Sequence, residues 1–238
     1  WISTSFSWRW RRWVDRVKEY IAEGVDESKN NFKEYNIHGK PFVFAQPFEN
    51  NINLDYIKNK IETLAPEYFF DNVDGFFVGY VKEFFKDGRE YNAMYKDGAI
   101  YLSPDQDNER DLLDDILHEL AHAVEKKHED KIYGDGRIER EFLAKRRYLY
   151  YLLGDKEYGM AAYENPEYDY NFDQHLYKDI GYDYLRGATA ELFYSPYAIT
   201  ALREYWANGF ENYLLGSRGK LREISPALYD KIDTLFEF

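Results

Sequence analysis

The chain has 238 residues, 45% of them apolar, which suffices for one sizeable core, and it has no cysteine, which excludes disulfides and thiolate metal sites. Its formal net charge of −13 opposes binding to a nucleic-acid backbone and favours basic or neutral partners, although solubility alone also accounts for it. No apolar run reaches the about 18 residues that a membrane span needs, and no linker-like, repeated or low-complexity tract divides the chain. Trp1 rather than Met stands first, as in a trimmed or processed chain; the compartment stays open, secreted and virion-associated locations included.

In chain order, residues 8–24 (WRWRRWVDRVKEYIAEG) place Trp10, Trp13, Val14, Val17, Tyr20 and Ile21 at helical spacing, with Gly24 as a stop. This predicts an N-terminal amphipathic helix within residues 1–30. Its arginines belong in water, because the acidic remainder opposes contact with an anionic membrane. PFVFA (41–45) is a strand candidate. Asn53 can cap a helix LDYIKNKIETL that ends before Pro66. VDGFFVGYVKEFF (73–85), REYNAMY (89–95) and GAIYLS (98–103) read as strands of an antiparallel meander, with Lys96-Asp97-Gly98 as a hairpin turn. Helices are expected within 104–129 and at 138–154, 200–216 and 225–236, with Thr200 as the N-cap of the one at 200–216, whereas 155–187 shows little periodicity. The acids of SPDQDNERD suit helix capping better than a calcium loop, since Arg110 stands where such a loop needs Gly.

Residues 117–125 read LHELAHAVE. On a helix, His118 and His122 share one face and can present two imidazoles to one ion. Zinc accepts neutral imidazole nitrogen, and its catalytic sites take three protein donors plus a water. Glu119 is placed to take a proton from the water such an ion activates. Two histidines next to one glutamate in this spacing form HExxH, the signature of zinc-dependent peptide hydrolysis. Leu120 and Ala121 fall on the packing side. His128, six residues on and about 240° round the helix from His122, is a poor third donor. A carboxylate from a later helix must complete the set, and spacing leaves both Glu141 and Glu204 open. His38 and His175 have no partner at an informative spacing.

LREYWANGFENYLL (202–215) resembles the helix that supplies the third zinc ligand in the catalytic domain of anthrax toxin lethal factor and in the Pro-Pro endopeptidases. The match lies in Glu204, Tyr205, Trp206, Ala207 and Phe210, together with HELAHAV and SPYAIT, and it spans about residues 90–215. The resemblance implies zinc held by His118, His122 and Glu204, with Tyr197 stabilising the oxyanion. Asn208 stands where that family often has an acid. It further implies an α+β, two-lobed gluzincin-like fold: a metallopeptidase domain over 31–238, with an upper lobe (31–130) carrying a small antiparallel sheet and the HExxH helix, and a mostly helical lower lobe (131–238). GAIYLS could then border the cleft and pair with an extended substrate, or be an internal strand. The expected activity is zinc-dependent endopeptidase action on a peptide or protein substrate, without nucleic acid or membrane contact. The alternative is a catalytically silent binding or assembly module on the same fold, for example a phage virion component. No residue identifies a side-chain pocket.

Overall fold

The computed structural model describes residues 35–86, 89–155 and 157–237; the amphipathic helix expected within 1–30 lies outside the described residues. They form an α+β protein in two compact units that divide between Ile116 and Leu117. No helix among the described residues is long and apolar enough to cross a membrane.

The first unit holds the sheet. Strands β1 (Asn36–Ile37) and β2 (Lys40–Phe44) are joined by His38 and Gly39, whose φ angles of 47° and 72° meet the requirement of a type I′ hairpin turn. Helix α1 (Leu54–Leu64) starts as expected at Asn53, whose side chain accepts from the Tyr56 N–H, and it buries Ile57 and Ile61. Strand β3 (Gly75–Val78) follows; β4 (Phe85–Lys86) and β5 (Arg89–Glu90) pair only with each other. β6 (Ala93–Lys96) and β7 (Ala99–Leu102) form the hairpin that the sequence predicts, turning through Asp97 and Gly98 at φ 53° and 88°.

The five-stranded sheet has the order β1-β2-β3-β7-β6. It is mixed, not the antiparallel sheet expected: β3 runs parallel to both β2 and β7. α1 acts as the crossover between β2 and β3, which permits parallel pairing. Every residue of β3 is buried, the pattern of a central parallel strand covered on both faces. The expected single strand over 73–85 stops at Val78, and Lys82–Phe84 form a 3-10 turn instead. β7 is paired on both sides, so it has no free edge for an extended peptide; GAIYLS is an internal strand.

Helix α2 (Glu109–Tyr133) carries the histidine motif. Asn108 starts it, its Oδ1 accepting from the N–H groups of Arg110 and Asp111, so the surrounding polar run serves a helix start. At His128 the backbone leaves helical values (φ −119°, ψ 22°) and the helix bends.

The second unit is helical. After α2 come α3 (Arg137–Leu153), α4 (Met160–Tyr163), α5 (Tyr170–Gln174), a π-helical stretch His175–Gly181 and α6 (Tyr182–Ala188). A 3-10 turn, Tyr197–Ile199, then leads into α7 (Leu202–Leu215), α8 (Arg218–Ile224) and α9 (Pro226–Leu235). The 155–187 segment, aperiodic in sequence, thus holds short helices, each too brief to carry an apolar stripe. It is anchored by the buried Arg146, whose guanidinium donates to the carbonyls of Ala162 and Asn165 and lies over the rings of Phe142 and Phe172. Phe142, Phe193 and Tyr205 form an aromatic core against α7. Gly209 lets α7 and α9 touch: a Cβ there would fall 2.3 Å from Leu228 Cδ2.

Candidate metal centre

His118 and His122 lie one turn apart on α2, with ring centroids 5.2 Å from each other. As expected, Leu120 and Ala121 between them are fully buried. That apolar side fixes the rotation of the helix and leaves both imidazoles on the other face. α7 supplies the counterpart. Trp206, fully buried, donates its Nε1–H to the Ala121 carbonyl at 3.1 Å and so clamps α7 to the centre of the histidine motif.

Glu204 is the third residue of α7, near the positive end of that helix, where a carboxylate is favoured. Its Oε2 stands 3.1 Å from His118 Nε2 and 3.6 Å from His122 Nε2, while Arg203 Nε lies 3.5 Å from its Oε1. Tetrahedral donors at about 2.0–2.1 Å from a zinc ion stand about 3.3 Å apart, so the two measured separations bracket that edge. One donor atom from each of the three residues lies within 4.8 Å of the others. Two imidazole nitrogens and one carboxylate oxygen suit zinc, manganese or iron.

Each imidazole is also held from behind. His118 Nδ1 faces Glu211 at 3.5 Å, and His122 Nδ1 faces Glu125 at 3.1 Å. A ring that gives its Nδ1–H to a carboxylate keeps the Nε2 lone pair free, the usual arrangement behind a metal-bound histidine. Neither acid was expected from the sequence. Glu211 follows Glu204 by seven residues, two helical turns, and so shares its face; it lies one turn beyond Asn208, the position where the resembled family often has an acid. Glu125 follows His122 by three residues, a neighbour position on any helix.

The electrostatics follow from this geometry. Burial alone would lower the His118 pKa, but its bonds to Glu204 and Glu211 outweigh burial and hold it well above the usual value. Burial likewise opposes, and Glu204 and Glu125 overcome, a raised pKa at His122. Burial would raise Glu204, yet the two imidazoles hold it well below the carboxylate range. Glu119, half-buried beside His118, adds its negative field at both rings.

Tyr197 is half-buried in the 3-10 turn ahead of α7, its ring centroid 6.3 Å from that of His118. Thr200 is not the N-cap expected of it. Its hydroxyl donates back to the Tyr197 carbonyl, closing the turn, and Ala201 occupies the cap position. Glu141, the other candidate third donor, points elsewhere: its carboxylate accepts from the N–H groups of Ala227 and Leu228 and from the Tyr205 hydroxyl, capping α9. His128 sits at the bend of α2 and is not among the converging donors.

Among the described residues a second group, Glu157, His175 and Asp179, has donor atoms equally close. His175 therefore has partners after all, Asp155 at 2.8 Å on Nε2 and Asp179 at 3.1 Å on Nδ1. Both acids of this group, Glu157 and Asp179, are exposed, whereas His122 and Glu204 of the first group are buried. His38 gives its ring to the Ala65 carbonyl at 2.8 Å and serves the hairpin turn.

No family profile, no curated protein and no solved structure matches this chain.

Proposed function

We propose that the chain is a zinc-dependent endopeptidase of gluzincin type, with His118, His122 and Glu204 as the metal-holding residues. The observation that carries this reading is the convergence of two Nε2 atoms and one carboxylate, each ring backed by an acid at Nδ1. The resemblance of 197–210 to the lethal factor and Pro-Pro endopeptidase helix supports it.

When bound, zinc supplies Lewis acidity, which makes a water nucleophilic near neutral pH and polarises a carbonyl. The remaining steps fall to this chain's own groups. Glu119 takes a proton from the attacking water and delivers it to the leaving amine, the work of a general base turned acid. The Tyr197 hydroxyl donates to the developing oxyanion. Glu125 and Glu211 hold the rings against rotation, so that both keep Nε2 directed inward.

The test combines metal content with hydrolysis of a random peptide pool. Glu204→Ala is expected to lose zinc after dialysis, whereas Glu141→Ala keeps it and loses only the stability of the α9 cap. Glu119→Gln is expected to retain zinc and lower the rate by about 10²–10⁴. Zinc retention without any cleavage by the unaltered chain favours the silent binding module instead, and an unaltered chain that takes up no metal rejects the centre.

A further inference from the structure

The acid behind His122 is itself held. Tyr133, the last residue of α2, donates its hydroxyl to Glu125 Oε1 at 2.6 Å, while Glu125 Oε2 stands 3.1 Å from His122 Nδ1. On a straight helix, residues eight apart are separated by about 12 Å along the axis and about 80° around it, far outside the reach of the three- and four-residue pairs that meet on one face. The contact exists because the helix bends between them, at His128. The acid at His118 Nδ1, Glu211, comes instead from α7.

We propose that Tyr133 and Glu125 are a positioning pair for His122: the bend at His128 returns the end of α2 onto its own metal-binding turn and fixes which nitrogen of His122 is free. This rests on the reading of the centre as a metal site. Glu125 is 16% exposed and sits one turn beyond His122, so its carboxylate is largely cut off from water and needs donors. Nδ1–H of His122 satisfies one oxygen and the tyrosine hydroxyl satisfies the other. With both oxygens engaged, the carboxylate cannot swing away, and the imidazole keeps its Nδ1–H on Glu125 and its Nε2 turned inward, 3.6 Å from Glu204. Removing the tyrosine hydroxyl frees the carboxylate to turn towards solvent and lets the ring exchange tautomers.

The experiment uses the full chain, with zinc alone as the probe. Tyr133→Phe, Glu125→Ala and the unaltered protein are compared in zinc affinity by chelator competition, in Tm without metal, and in the ¹⁵N shifts of His122 in metal-free protein at a pH where the ring is neutral. Since Glu204 at Nε2 competes with Glu125 at Nδ1 for the ring proton, the expected result is a higher fraction of the Nδ1–H tautomer of His122 in the unaltered chain than in either variant. Zinc affinity should fall about tenfold in Tyr133→Phe and up to about 100-fold in Glu125→Ala. An unchanged tautomer in the variants overturns the proposal, including when Tm falls, since that result marks packing alone. If the unaltered chain binds no zinc, the metal reading fails separately, and the tautomer measurement still decides the role of the pair.

Discussion

Glu141 and Glu204 are both glutamates on helices, and their partners alone separate them. Glu204 faces two imidazoles; Glu141 faces two backbone N–H groups and a phenol. Sequence spacing could not choose between them, because no residue count records what a carboxylate will meet across a helix interface. Beside Glu141 lies a charge that works against the fold. Lys145 Nζ donates to the hydroxyls of Tyr205 and Ser225, and burial depresses its pKa to about 8, with Glu141 opposing the shift. Its usual value is 10.5, so between the two the unfolded chain binds the proton and the folded chain does not. Stability contributed by this group therefore rises as pH climbs from about 8 towards 10.5 and is lower below that window. The difference is worth about 3 kcal/mol. Chemical denaturation of the unaltered chain and of Lys145→Met across that window should show this rise only in the unaltered chain, as a change in their difference.

Within one element, α7 combines functions that its sequence partly discloses. Glu204 and Glu211 lie two turns apart and face the histidines, Trp206 ties the helix to the Ala121 carbonyl, and Gly209 admits α9. The i,i+7 relation of the two acids was available from spacing; that both would find imidazoles was not. Gly209 stands inside the helix, where glycine costs about 1 kcal/mol relative to alanine. The packing explains it, since a methyl group there would fall within 3.0 Å of Leu228 Cδ2 (2.3 Å) and Cγ (2.8 Å). Gly209→Ala is therefore expected to destabilise by about 1–3 kcal/mol despite the better helix propensity, measured by denaturant unfolding. Adding Leu228→Ala should recover part of the loss, because it vacates the colliding atoms. A Gly209→Ala protein as stable as the parent would mean that α7 and α9 separate freely.

For the molecule as a whole, the candidate centre is a link between α2 and α7, two elements whose donors stand 86 residues apart along the chain. An ion bound only by the folded form stabilises it by mass action: free zinc at 100 times its dissociation constant adds about 2.7 kcal/mol. Tm should therefore rise with zinc concentration in the unaltered chain and stay constant in His118→Ala. The buried aromatic core of Phe142 in α3, Phe193 and Tyr205 in α7 makes no use of the ion, so chelation should lower Tm without unfolding the protein at room temperature. A metal-dependent loss of helical circular dichroism at room temperature would contradict this.

What the sequence determined by itself was local. Asn53 starts α1, Asp97-Gly98 turns the β6–β7 hairpin, and a single helical turn places His118 beside His122. Each of these depends on contacts a few residues apart, where helix and turn geometry allow little choice. The parallel order of β2, β3 and β7, the choice of Glu204 over Glu141, and the acids behind each histidine were decided by tertiary structure. These depend on which helix faces meet and where α2 bends. Such relations are set by the packing of side chains distant in the chain, for which spacing carries no record.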